Sequence, residues 1–336
     1  MGRLVRRVDR RLKALAPAPR GAPTGVPLTM VAGGAGMYRN LWYAPGAGVA
    51  FDDAGQVFAS LARPVSSLGA DLSRLPHVTP REAVNLFTAP TNAPEIARGT
   101  LFADGRGLRN YARFLLANLP AVLSLDAPAL MPPPTRWQAD LLDLIGVMPL
   151  VVDAPLVRVG EALLPPEPGF PAAIDPRVLE IRDRVAARVE AWSERERVYL
   201  SGYHAARAVM TDEAAFEWAL AQRGFVIIRP ETLTVRQLVG VLRGARLVVS
   251  ASGTALAHLL FCAPGARVVE IQPPGTSSAW GRILAELIGA EWHGFSASGP
   301  RAVIDTPLDP SPRPDTAFSW SVDEAFLPFL DALAPP

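Results

Sequence analysis

The sequence predicts an α/β protein of two domains, the second of them Rossmann-like. Three observations lead there. A chain of 336 residues is longer than one hydrophobic core usually encloses. A proline-dense run from Leu163 to Pro171 excludes both helix interior and central strand, and so marks a boundary. Beyond it, short continuous apolar runs alternate with segments of helical spacing, the pattern of a parallel sheet covered on both faces. The expected organisation is a basic helix and Pro/Gly linker over residues 1–27, a first domain over 28–165 and a second over 172–336.

At the start, Leu4, Val8, Leu12 and Leu15 fall on one helical face, while Arg3, Arg6, Arg7, Arg10, Arg11 and Lys13 crowd the rest. Such a helix either caps the first domain with its charges in water or touches an anionic inner-membrane surface from the side. The commonness of solvated charged faces favours the first. The segment lacks the apolar run and small-residue cleavage site of a secretory signal, so a cytoplasmic protein is expected. Residues 16–27, dense in Pro, Gly and Ala, form the linker.

In the first domain, apolar spacing predicts a helix over 109–124 and another over 137–145, closed by Gly146. The cluster around Gly33 and Gly36 lacks a clear strand before it and a helix after it, and reads as a loop. The second domain is more regular. A helix over 176–193 carries Val178, Ile181, Val185, Val189 and Trp192 at helical spacing, and a strand follows over 198–201. Next come a helix over 211–223, a strand over 225–228, and a helix opened by the capping box Thr234 and Gln237. A strand over 247–250, a helix over 254–261, a strand over 267–271 and a helix over 278–288 complete the alternation.

Composition removes several function classes. A formal net charge of +1, with no interleaving of basic and aromatic residues, argues against nucleic acid as partner. No run of about 18 apolar residues occurs, so no spanning helix is expected. The single Cys262 and four scattered His offer no metal-ligand spacing, and no Asp-x-Asp pattern occurs, so neither metal nor bound cofactor is expected.

The sharpest feature is the stretch from Val248 to Ile271, a strand, a turn of small residues, a helix start and another strand. Ser252, Gly253 and Thr254 let a ligand approach the backbone, and the N–H groups of a helix start favour an anion such as a diphosphate. Glu270, near the carboxyl end of the next strand, suits ribose or sugar hydroxyls. The competing reading, in which Ser252 and Thr254 cap the helix and Glu270 makes a salt bridge, carries equal weight on these residues alone.

The strand from Val198 to Ser201, the stretch from Arg207 to Glu213, the run from Gly224 to Thr234 and the block from Ser252 through Phe261 to Ile271 together resemble glycosyltransferase family 61. Asn110-Tyr111-Ala112-Arg113-Phe114-Leu115 resembles the family's Asn-Tyr-Tyr-His-Trp/Phe-Leu stretch. Trp280 to Gly289, Trp292 and Ser321 to Phe326 continue the order, so the resemblance covers about residues 100 to 333. It implies a GT-B-like fold, two Rossmann-like domains facing across a cleft, with a nucleotide sugar held by the second and a glycan acceptor entering between them. It further implies inverting, metal-independent transfer in bacterial surface or capsular polysaccharide synthesis.

The donor-side residues so implied are Ser201, Arg207, Ser252, Gly253, Thr254, His258 and Glu270; Asn110, Tyr111 and Arg113 stand on the acceptor side. Arg207 occupies the place of a family Arg and suits bidentate diphosphate contact, or else pairs with Asp212 or Glu213. Three positions depart from the family pattern. Its His-Gly-Ala turn is Ser252-Gly253-Thr254 here, an Arg is replaced by Gly202, and a His by Arg113, which cannot accept a proton near neutral pH. Asp104, just before the Asn110 helix, is the candidate base; His204 and His258 are alternatives, the latter placed where a packing role is commoner. These departures keep two other readings open: a catalytically degenerate member that binds nucleotide or glycan, and a nucleotide-sugar epimerase of the same architecture.

Overall fold

The structure is a computed structural model that describes residues 25–31, 34–58, 65–81, 84–102, 104–167, 169–192, 196–202, 208–276, 278–303 and 317–334. The expected basic helix, most of its linker, Gly33, His204 and Arg207 lie outside these residues. The chain divides into two compact units, Met1–Gly169 and Phe170–Pro336.

The first unit is built on an eight-stranded sheet. Its strands are β1 (Thr29–Val31), β2 (Gly36–Ala44), β3 (Val49–Phe51), β4 (Gln56–Phe58), β5 (Glu95–Leu101), β6 (Ala129–Met131), β7 (Leu150–Val151) and β8 (Val157–Leu164), in the order β7-β6-β5-β8-β2-β3-β4-β1. One side is Rossmann-like: β5, β6, β7 and β8 all pair in parallel, with helices between β5 and β6 and between β6 and β7. The other side departs from that expectation, since β8 meets β2 antiparallel and β2, β3 and β4 form an antiparallel meander. The reason for the meander lies in connection length. Strands joined by a few residues can only turn back on themselves, whereas parallel neighbours need a crossover. Both faces are covered, so neighbours on β2 alternate between two cores: Leu41 and Tyr43 in one, Trp42 and Ala44 in the other.

The helix expected over 109–124 is observed over 111–123 as α1. Its middle turn, Phe114–Asn118, is a π-helix flanked by α-helical turns. Asn110 caps it, the side-chain oxygen accepting from Arg113 N–H at 3.0 Å. The second helix, α2 (Arg136–Ile145), starts on a Thr135–Gln138 capping box and stops at left-handed Gly146.

The second unit holds a five-stranded, fully parallel sheet of β9 (Arg197–Leu200), β10 (Val226–Ile228), β11 (Leu247–Ala251), β12 (Arg267–Gln272) and β13 (Glu291–Ser296), in the order β10-β9-β11-β12-β13. Its helices are α3 (Val178–Ala186), α4 (Glu213–Ala221), α5 (Val235–Gly244), α6 (Trp280–Leu287) and α7 (Phe326–Leu333). The capping box at Thr234 and Gln237 opens α5 as expected.

Two expected helices are altered. The one predicted over 176–193 ends at Ala186, because Arg243 on α5 donates Nη1 to the carbonyls of Ala186, at 2.8 Å, and Val189, taking carbonyls at its end out of the helical ladder. The one predicted over 254–261 is present but winds as a 3-10 helix, Thr254–Phe261. It is apolar almost all round and packs against β11, α3, α5 and α6.

Candidate functional site

The strand order of the second unit has a reversal point, the place where sheets of this kind open a crevice. From β9 the chain moves outward to β10, then returns to the other side of β9 and builds β11, β12 and β13 in the opposite direction. In such open parallel sheets the crevice lies beyond the carboxyl ends of the strands where the order reverses, here between β9 and β11. Leu200 pairs with Ser250 there. Ser201 and Gly202 therefore leave one strand beside Ala251, Ser252 and Gly253 leaving the next, about one strand spacing of 4.8 Å away.

At this point the turn expected to take phosphate is shaped by Gly253, whose φ of 157° and ψ of −173° are tolerated by glycine and by few other residues. A Cβ at Gly253 would meet nothing within 4 Å, so the requirement is torsional and the space above the backbone is open. Gly253 and Thr254 are exposed. The first N–H groups of the 3-10 helix have no partner within it, and no side chain caps its start.

Ser252 is not the cap its sequence position allowed. Its backbone N–H extends the sheet to Ile271 O at 2.8 Å, and its hydroxyl donates inward to Glu270 Oε1. Glu270 sits opposite Ser250 in the β11–β12 register and is fully buried. Its second oxygen accepts from Trp292 Nε1 at 3.0 Å. Two glycines make room for this arrangement: a Cβ at Gly281 would lie 2.6 Å from Glu270 Oε2, and one at Gly294 would lie 2.3 Å from the Trp292 ring. Burial pushes the Glu270 carboxyl above its ordinary value, against the pull of hydrogen bonds from Ser252, Trp292 and Gln272. The salt bridge considered from sequence is replaced by uncharged donors, Ser252, Trp292 and Gln272.

Ser201 also faces inward. It is buried, donates to Glu217 Oε1 at 2.6 Å and lies 3.1 Å from Glu213 Oε1. Glu213 further accepts from Tyr199 Oη at 2.9 Å and from Gly202 N–H at 2.6 Å. Burial, then the Glu213 charge, raise the Tyr199 phenol far above its ordinary value, so it stays a donor. Arg229, at the end of β10, reaches Glu217 Oε2 at 2.8 Å. This network of Tyr199, Glu213, Glu217 and Arg229 at the reversal point was not singled out from sequence. Glu213 and Glu217, four apart on one helix face, were its only visible sign.

His258, inside the 3-10 helix, is buried and its imidazole is pushed down to about 3 by that burial, which keeps it neutral and a poor proton acceptor. In the first unit the structure gathers four candidates. Asp104 is 5% exposed; its Oδ1 accepts from Arg106 N–H at 3.1 Å, and Arg113 Nη1 lies 3.6 Å from its Oδ2. Asn110 caps the helix that carries Arg113, and Tyr111 packs its ring 5.2 Å from Trp137. Burial raises the Tyr111 phenol above its ordinary value. Among the described residues no cluster of His, Cys, Asp or Glu is arranged to hold a metal ion, and no helix is long and apolar enough to cross a membrane.

The family model described as Glycosyltransferase 61 matches residues 87–269, more than half of the chain. The match begins in the first unit, includes the Ser252 turn and stops one residue before Glu270, so the resemblance noted for Trp280–Gly289, Trp292 and Ser321–Phe326 falls outside it. No curated protein matches the chain. The chain belongs to glycosyltransferase family 61 and is a glycosyltransferase.

Proposed function

We propose that the second unit binds a nucleotide sugar at the strand-order reversal between β9 and β11, and that the enzyme transfers the sugar to a glycan acceptor. The observation that carries this reading is the coincidence of the reversal point with the open Gly253 turn and the start of the 3-10 helix. The diphosphate lies against the backbone N–H groups of Gly253 and Thr254, which stabilise charge as the nucleotide departs. Arg207 supplies the second stabilising charge. Transfer is a single displacement with inversion, in which the acceptor hydroxyl attacks as the nucleoside diphosphate leaves, without a metal ion. The setting proposed is bacterial surface polysaccharide synthesis in the cytoplasm, with contact to the inner membrane through the basic helix.

Calorimetric titration of the purified protein with a panel of nucleoside diphosphates tests the donor site. Binding of at least one, weakened about tenfold or more in Arg207→Ala with the fold intact, is the expected result. Absence of binding across the panel overturns the reading.

A second reading, binding without transfer, is favoured by one observation: the carboxylate of Asp104 is buried against Arg106 and Arg113, an arrangement that suits anchoring those guanidiniums better than taking a proton from an acceptor. Release of nucleotide from a bound donor in the presence of a glycan pool separates the two. Loss of that release in His204→Ala, with donor binding retained, would assign His204 as the base.

A further inference from the structure

Glu270 and Ser252 decide between them what the turn can offer a ligand. A serine hydroxyl has one proton to donate and two lone pairs to accept with. Ser252 donates its proton inward to Glu270 Oε1. Trp292 Nε1, a donor only, engages Oε2. The carboxylate is fully buried, with Gly281 leaving just the room its Oε2 needs, and both of its oxygens are engaged by these donors. The half-buried serine thus faces the crevice with lone pairs and no proton.

We propose that Glu270 is a positioning residue that makes Ser252 a hydrogen-bond acceptor toward the bound nucleotide sugar, so that Ser252 recognises a hydroxyl of the donor and takes no part in binding its diphosphate. The inference rests on the nucleotide-site reading above and reverses the role that the turn sequence alone assigns to Ser252. Phosphate recognition then falls to the backbone of Gly253 and Thr254, and the side chain at 252 reads the sugar or ribose.

The polarity can be inverted chemically. In Glu270→Gln the amide oxygen must face Trp292 Nε1, because that group cannot accept, which turns the amide NH2 toward Ser252. Ser252 then accepts from Gln and swings its own proton into the crevice. Inorganic pyrophosphate, which has acceptors and no sugar, is the probe. In full-length protein, Glu270→Gln is expected to bind pyrophosphate about three- to tenfold more tightly than wild type, the range of one added hydrogen bond. Removing a buried negative charge would by itself favour an anion, so the measurement is made as a double-mutant cycle with Ser252→Ala. The gain should fall to less than about twofold in the Ser252→Ala background, and Ser252→Ala alone should leave pyrophosphate affinity within about twofold of wild type.

A gain of equal size in both backgrounds assigns the effect to charge alone and overturns the proposal. So does an unchanged or weakened affinity in a Glu270→Gln protein with native near-ultraviolet dichroism, or a loss of about tenfold or more in Ser252→Ala. If Glu270→Gln does not fold, Ser252→Ala alone decides. If wild type binds neither pyrophosphate nor any nucleoside diphosphate, the nucleotide-site reading fails and this inference with it; binding by wild type with a failed cycle removes this inference only.

Discussion

The guanidinium of Arg229, at the end of β10, lies 2.8 Å from the carboxylate of Glu217 on α4, the same carboxylate that takes the hydroxyl proton of Ser201 at 2.6 Å. Glu217 is largely enclosed, whereas the Arg229 side chain is 39% exposed. Removing the cation leaves a buried carboxylate with a poorer partner set. Arg229→Ala is therefore expected to cost about 1–2 kcal/mol, the buried-pair penalty discounted for the exposed partner. Adding Glu217→Gln should restore part of that loss, because the uncompensated charge goes too. Denaturant midpoints of the two variants check this; a double variant less stable than Arg229→Ala alone would contradict it.

Gly294→Ala probes the support of Glu270 from the other side. An added Cβ would lie 2.3 Å from the Trp292 ring, so the indole must move and its hydrogen bond to Glu270 must lengthen or break. A loss of about 1–3 kcal/mol is expected, with a change in tryptophan emission. Trp292→Phe removes the N–H together with part of the bicyclic ring, and should cost about 1–3 kcal/mol. Unchanged emission in Gly294→Ala would show that the indole lies elsewhere.

Asp104→Asn distinguishes anchoring from proton transfer. With the carboxylate facing Arg106 and Arg113, the expected result is a turnover within about tenfold of wild type, together with reduced stability. A general base would instead show a loss of about a hundredfold or more. Steady-state rates with a saturating donor settle which applies.

Burial also gives stability a pH dependence. Because the folded Glu270 carboxyl titrates above its ordinary value, the folded state holds a proton that the unfolded chain has already lost over the interval between the two values. That contribution is complete below the ordinary carboxylate value and is lost as pH rises through the raised one. Glu270→Gln cannot ionise, so its stability relative to wild type should increase as pH rises from the ordinary carboxylate value, about 4.3, through the raised one. A difference that stays constant across that interval would sink the assignment.

Much of the second unit was legible because its strands are buried on both faces and so appear as continuous apolar runs between helices. Thr234 and Gln237 announce their helix by local chemistry that needs nothing from the rest of the fold. The first unit was harder to read. Its antiparallel meander, β2 to β4, is covered on both faces, so Leu41 through Ala44 show no alternation that would distinguish the meander from a parallel strand. The 3-10 winding of Thr254–Phe261 was hidden too, since an apolar run of that length fits either helix. The end of α3 at Ala186 depends on Arg243, 57 positions away in the chain.

Residue type at short range was enough for the family, the alternation of strand and helix in the second unit, and the turn at Ser252 to Thr254. Which way the polar groups at that turn face depends instead on long-range packing. Ser201 and Ser252 both donate inward, to Glu217 and Glu270, because a buried carboxylate demands a donor from whatever lies beside it. The neighbours of such a carboxylate are set by strand order and register, which no local pattern records.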